Sequence, residues 1–382
     1  MSLPEPDATA LTASRILEQS ICAQIEAAGG WIDFSRYMDL ALYEPGLGYY
    51  SGGSAKFGVG GDFVTAPEIS PLFGRALAQQ VAQVLRLAGG DVIEAGAGSG
   101  ALACDLLLAL ETLDCLPRHY FILEVSADLR ERQQTLLHER AGALAERVVW
   151  LERLPERIEG CVVANELLDA LPVHVLRWSA DGVYERGVTC SGGRLDWKDG
   201  NQVQGVLREQ AGALPVASGT ISEIGLQAQA WVSTVSQALQ RGALLLIDYG
   251  FGEREYYHPQ REHGTLMCHY RQHAHDDPFF LPGLQDITAH VDFTAIAVAG
   301  RQAGLKLGGF VTQAQFLLNC GILALLEAQD PQQIARYLPH AAAVQKLLSP
   351  AEMGELFKVM ALVRGLDEPL LGFVLGDQRR RL

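Results

Sequence analysis

From about residue 85 onward, short apolar runs alternate along the chain with longer stretches of helical composition. Asp91-Val-Ile-Glu-Ala95 reads as a strand that ends in Gly96-Ala-Gly98-Ser-Gly100, and Ala101 to Leu113 reads as a helix. Tyr120-Phe-Ile-Leu-Glu124 predicts a second strand, followed by a charged helix from about Asp128 to Gly142. Val148-Val-Trp-Leu151, Cys161-Val-Val-Ala164 and Ala243 to Gly250 predict three more. Strands separated by helices of this length imply right-handed crossovers and a mostly parallel, doubly wound sheet, so the expected class is a Rossmann-like α/β fold.

Other stretches break the repeat. Residues 1–75 precede the first sheet strand and are expected to form an N-terminal cap or lid. The sheet core is assigned to 76–250, with 173–200 inserted as a β-meander, because Asp181-Gly182 between alternating runs is a hairpin signal. Residues 251–312 are assigned as a substrate-side region, in which 251–295 carry aromatics, Pro and His with little periodicity and predict a long functional loop. Residues 313–349 read as a helical insertion. In 350–382, Phe357 to Arg364 and Pro369 to Leu375 are expected to complete the sheet as an antiparallel strand pair.

Composition narrows the function classes. The 382 residues carry 30 Lys+Arg against 45 Asp+Glu, a formal net charge of −15. That balance argues against a general nucleic-acid binder, which needs a cationic face to displace counterions. The longest greasy stretch, Phe316 to Leu326, is interrupted by Asn319 and Gly321 and is too short to insert in a membrane. The opening Met-Ser-Leu-Pro-Glu-Pro-Asp lacks a basic and then apolar run, so no secretory signal is expected. The seven cysteines (22, 104, 115, 161, 190, 268 and 320) stand singly, which reads as reduced thiols in a cytoplasmic protein.

The chemistry concentrates at predicted strand ends. The Gly96, Gly98 and Gly100 loop suits close backbone approach to a ligand, with helix N-terminal N–H groups as donors, although a plain turn uses the same residues. Glu124 ends the next strand, 26 residues after Gly98, where a carboxylate can accept both hydroxyls of a ribose. The GxGxG spacing differs from the GxGxxG of dinucleotide enzymes. With Glu94 just ahead of it, the set is similar to the S-adenosylmethionine site of class I methyltransferases.

At the end of the fourth strand stand Asn165, Glu166 and Asp169, which can hydrogen-bond, bind or deprotonate a cationic substrate, or simply cap a turn. The stretch Gly61-Asp-Phe-Val-Thr65-Ala-Pro-Glu68-Ile-Ser70-Pro71 is either a lid over the cofactor's methionine end, with Thr65 and Glu68 as contacts, or an ordered loop capping the next helix. Six of the ten histidines fall between His258 and His290, but no HxxxH pair or neighbouring Cys pair accompanies them, so no metal site is expected. A hydrogen-bonding substrate rim and ordinary loop histidines both remain open.

Several motifs then occur in order: Ala41-Leu-Tyr43-Glu-Pro-Gly-Leu-Gly-Tyr49-Tyr50, GDFVTAPEIS, EAGAGSGAL, ANELLDALPV, IDYG, and GTLMCHYRQH followed by DITAHVDFT. Over about residues 15–375 the chain resembles the MidA family, bacterial and mitochondrial relatives of a respiratory complex I assembly-factor methyltransferase. The resemblance implies a class I methyltransferase fold using S-adenosylmethionine. It also implies an arginine-presenting protein substrate, and symmetric dimethylation of a complex I subunit or its bacterial counterpart. Carried onto this chain, Gly96, Gly98 and Glu124 hold the cofactor, while Asn165, Glu166 and Asp169 stand at the methyl-transfer end. Glu166 is the leading candidate to take the proton, with Asp169, Glu68 or Asp292 as helpers. An assembly chaperone that binds cofactor with little catalysis stays open, as, more weakly, does a nicotinamide oxidoreductase.

Overall fold

Apolar runs flanked by helices become strands buried on both faces, and they line up as the periodicity predicts. The computed structural model describes residues 3–52 and 65–382, and the chain divides into two compact units. The larger holds 64–168, 229–250 and 293–382; the smaller holds 1–63, 169–228 and 251–292.

The sheet of the larger unit contains β1 (Asp91–Ala95), β2 (Tyr120–Leu123), β3 (Val148–Leu151), β4 (Ile158–Asn165), β5 (Leu239–Phe251), β6 (Lys306–Thr312) and β7 (Phe357–Arg364). Their order is β6-β7-β5-β4-β1-β2-β3. The five strands from β5 to β3 are mutually parallel, while β7 runs antiparallel to both β5 and β6. Register aligns the carboxyl ends: Ala95 pairs with both Leu123 and Ala164, and Asn165 pairs with Ile247. Whatever follows β1, β2 and β4 therefore emerges along one sheet edge, where open α/β sheets bind ligands.

Helices α1 (Pro71–Ala88), α2 (Ala101–Thr112) and α3 (Ala127–Ala141) cover this sheet. Ser70 caps α1 by accepting from the Leu72 N–H at 3.2 Å, and Pro71 takes the first position, where its missing donor costs nothing. The buried stripe Leu72, Phe73, Leu77, Val81 and Leu85 joins a core that includes Val92, Ile122, Val163 and Leu245. Gly74 permits close approach of α1 to α2, since a Cβ there would meet the Asp105 Cβ at 2.6 Å.

One expectation for the C-terminal part fails. Pro369 to Leu375 is not a strand; it forms a single 3-10 turn over Leu371–Phe373, and the antiparallel neighbour of β7 that the sequence reading missed is β6. The N–H groups a strand partner would need are taken by α1 side chains: Gln83 Oε1 accepts from Leu371 and Gln80 Oε1 from Gly372, both at 2.8 Å. Pro369 supplies no donor at all.

In the smaller unit, strands His174–Ser179, Gly182–Ser191 and Arg194–Gln202 form an antiparallel meander, with Asp181-Gly182 at its first turn. Strand Ile32–Asp33 adds to Gly182–Ser191, and Ile221–Ile224 adds to His174–Ser179. The stretch expected to be a long loop contains a second sheet, Met267–Tyr270 with His273–His275 and Asp286–Thr288. Strands of three or four residues are too short to show a period.

The cysteine expectation also needs correction. Cys22, on helix Ala8–Ala27, is bonded to Cys190 on strand Gly182–Ser191, with Cα atoms 5.4 Å apart and 168 residues between them in sequence. Only packing of that helix on the meander brings the two within bridging distance. The other five are free thiols. Among the described residues, no helix is long and apolar enough to cross a membrane.

Candidate active site

The glycine loop leaves β1 and turns in three left-handed steps, at Gly96 (φ +71°), Gly98 (+52°) and Gly100 (+86°). Such angles are costly for any residue with a Cβ, which explains the residue type. Gly100 starts α2 with no side chain capping it, so the helix presents its first N–H groups to this loop.

Gln133, which the sequence reading missed, braces the loop. It is fully buried on α3; its Nε2 donates to the Gly98 carbonyl at 2.9 Å and to Glu124 Oε2 at 3.2 Å. Its Oε1 accepts from Trp150 Nε1 at 2.9 Å. The sequence held no signal for it, since Gln133 and Gln134 stand side by side in a charged helix. Glu124, at the end of β2, also accepts from the Ser126 N–H at 2.9 Å. Burial raises its pKa, against the Ser126 and Gln133 hydrogen bonds that favour the anion. The next residue, Val125, is 76% exposed. Bare apolar surface beside a polar cradle is what a flat aromatic ligand covers.

Glu94 lies in the same strand end but points into the core. It is 2% exposed, and Tyr120 donates its hydroxyl to Glu94 Oε2 at 2.5 Å. Burial pushes this carboxyl up to about 7 despite that hydrogen bond.

The tip of β4 forms the other half. Asn165 Nδ2 donates to Glu166 Oε1 at 3.0 Å, and the Ala66 N–H donates to the same oxygen at 3.3 Å. Glu166 itself sits at φ +50°, an uncommon angle for a residue with a side chain, while its N–H is held by the Ile247 carbonyl at 2.9 Å. Asp248, 1% exposed, anchors the following turn by accepting from the Leu168 N–H at 2.9 Å. The two halves meet at Leu167, whose Cδ1 lies 2.9 Å from where a Gly96 Cβ would stand.

Thr65 precedes the short helix Ala66–Ile69, and Glu68 lies in its first turn, half-buried. Ala66 thus ties this segment to Glu166. Residues 61–64 of the expected lid lie outside the described residues. Asp169 belongs to the smaller unit, where its carbonyl accepts from the Ala289 N–H at 3.0 Å. No helix follows it to be capped. In that unit the first and last of the ordered motifs come together. Tyr50 donates to Asp286 Oδ1 at 3.0 Å and stacks on Tyr43 at 5.5 Å between ring centres. Burial, then the charges of Asp286 and other neighbours including Asp169, keeps the Tyr50 hydroxyl well above its usual pKa.

A glycine cradle on a helix N-terminus, a buried strand-end carboxylate and exposed apolar surface match the parts of a nucleoside-containing cofactor. The sequence profile of the S-adenosyl-L-methionine-dependent methyltransferases matches residues 72–311. The chain belongs to this family.

As a methyltransferase it has close structural company. A solved structure from Burkholderia thailandensis, bound to S-adenosyl-homocysteine, is 51% identical, covers 100% of both chains and superposes with a TM-score of 0.97. A native crystal structure from the same organism is 50% identical, also over 100% of both chains, at 0.95. Among curated relatives, the Drosophila melanogaster mitochondrial protein named protein arginine methyltransferase NDUFAF7 homolog is 30% identical over 97% of this chain and 91% of its own. The Bos taurus protein arginine methyltransferase NDUFAF7 is 30% identical over 87% and 80%. The cofactor is S-adenosylmethionine.

Proposed function

We propose that this methyltransferase modifies an arginine side chain of a protein, and that Glu166 is the residue on which transfer depends. The observation that carries the reading is the Glu166 carboxylate, fixed by two donors on one oxygen at the tip of β4 and backed against the glycine loop through Leu167. The names of the relatives at 30% identity supply the acceptor class.

Gly96, Gly98 and Gly100 cradle the cofactor, Glu124 accepts its ribose hydroxyls and Val125 covers its base. Glu94 supports the loop from the core side, and Thr65 and Glu68 serve the methionine end. Bound there, S-adenosylmethionine supplies a methyl group already activated on a sulfonium. What the protein must add is orientation and the removal of one proton.

A guanidinium holds its proton until above about pH 12, so it enters charged. A carboxylate facing its planar fork of donors orients it and leaves electron density on one nitrogen. Glu166 then accepts the proton that this nitrogen gives up as it is methylated. Asn165 keeps the carboxylate aligned. We extend the reading to symmetric dimethylation of a respiratory complex I subunit or its bacterial counterpart, carried out in the cytoplasm.

The test is incubation of the full chain with labelled S-adenosylmethionine and a bacterial extract, followed by mass spectrometry for methylated arginine. Glu166→Gln should bind S-adenosylhomocysteine within about threefold of the parent yet lose at least about 100-fold in transfer, the scale of a missing general base. Label on lysine or on a small molecule, or undiminished transfer by the variant, overturns the assignment.

A further inference from the structure

Away from the cofactor cradle, the smaller unit brings one histidine and two carboxylates together from three strand segments. Asp33 pairs with Gly187 across the edge of the meander sheet. Continuing the register of Val175 with Arg186 sets His174 opposite the same Gly187. Glu185 lies two residues before it on that strand. Cross-strand partners, and residues two apart on one strand, project from the same sheet face, so all three side chains share it. A glycine stands at the centre of the row because a Cβ there would meet the Ile32 carbonyl at 2.1 Å.

We propose that Asp33, His174 and Glu185 form a binding site for a divalent transition-metal cation, with Zn2+ the best match to one imidazole and two carboxylates. One ligand atom from each lies within 4.8 Å of the other two. Atoms bound to a common ion at about 2.0–2.2 Å lie at most about 4.4 Å apart, so small side-chain rotations complete the set. His174 Nδ1 and Glu185 Oε1 are already 2.6 Å apart, and their side chains are 20% and 19% exposed, which leaves an entry path. Asp33 caps helix Phe34–Tyr43 with Oδ1, accepting from the Arg36 N–H at 2.8 Å; a carboxylate can cap with one oxygen and bind a cation with the other.

Two guanidinium groups on or beside these elements are engaged elsewhere. Arg36 pairs with Asp39 at 2.7 Å, and Arg186 lies over the Trp197 ring at 4.9 Å. Three protein ligands leave at least one coordination position for water.

The experiment uses the full chain, stripped with a chelator, desalted and titrated with ZnCl2 by calorimetry. One Zn2+ per chain should bind at micromolar affinity or tighter, and His174→Ala and Glu185→Gln should each weaken that event at least tenfold. Both variants should keep the parent's circular dichroism spectrum and cooperative melt, which certifies that they are folded. Should His174→Ala fail that check, Glu185→Gln alone decides. Absence of a stoichiometric event, or one unchanged in a folded variant because zinc sits on free thiols or other histidines, overturns the proposal.

Discussion

The two units make their polar sites in opposite ways. In the larger one, Gly96 to Gly100, Glu124 and Glu166 follow three neighbouring strands of one parallel sheet, and register alone brings them to the same edge. In the smaller one, Tyr43, Tyr50, Asp169 and Asp286 come from three separate stretches of chain and meet only through tertiary packing. A parallel sheet is thus a device for converting sequence order into spatial adjacency. The Tyr50 cluster has no such rule and relies on side-chain contacts.

The contrast can be broken most severely at the loop. Gly98→Val puts a branched residue at φ +52° and should cut S-adenosylhomocysteine affinity by more than about 100-fold in calorimetry, while the chain still melts cooperatively. Near-parent affinity would show that the loop's conformation is not what holds the cofactor. The covalent bridge sharpens the other side. Cys22→Ser, or reduction by a dithiol, should lower stability by about 2–4 kcal/mol in denaturant melts and leave S-adenosylhomocysteine affinity unchanged. Equal melts with and without reductant would mean that packing alone suffices.

Glu94 tests the core beneath the loop through pH. Its carboxyl binds a proton more tightly when folded, near pH 7, than at the ordinary 4.5 of the unfolded chain. Its contribution is therefore full below about pH 4.5 and is lost as pH rises toward 7, by up to about 3 kcal/mol. Glu94→Gln keeps an acceptor for Tyr120 and should flatten this part of the stability–pH curve. A variant curve parallel to the parent's would sink the idea. The smallest effect is expected at Gln133. Replacement by Leu leaves the Gly98 carbonyl, Glu124 Oε2 and Trp150 Nε1 each short of a partner, and should weaken cofactor binding roughly tenfold, or about 1.4 kcal/mol. Unchanged binding would make Gln133 a filler rather than a brace.

How much of this could be read from the chain follows the same division. Strand, loop and carboxylate of the cradle are local features, so Gly96, Gly98, Gly100 and Glu124 were legible as a group. Gln133 was not, because nothing in a charged helix marks which polar residue turns inward. The β6 strand was missed for a related reason: Lys306-Leu-Gly-Gly-Phe-Val-Thr312 carries two glycines that weaken any strand signal, whereas Pro369 to Leu375 looks more strand-like and spends its apolar residues on packing. Cys22 with Cys190, and Asp33 with His174, are separated by more than a hundred residues. Only the pairing of distant strands and helices reveals them.

The bridge from Cys22 to Cys190 has a reach beyond the unit that contains it. It ties the chain into a ring, and residues 64–168, with the glycine loop, four sheet strands and Glu166, are threaded along that ring. When the protein unfolds with the bridge intact, this stretch cannot spread as a free coil. Closing a ring of this size removes about 5 kcal/mol of denatured-state freedom on chain-entropy reckoning. A bond made entirely in the smaller unit therefore acts on the unfolded form of the larger one, so the oxidised chain is held near the dimensions from which its methyltransferase core must refold.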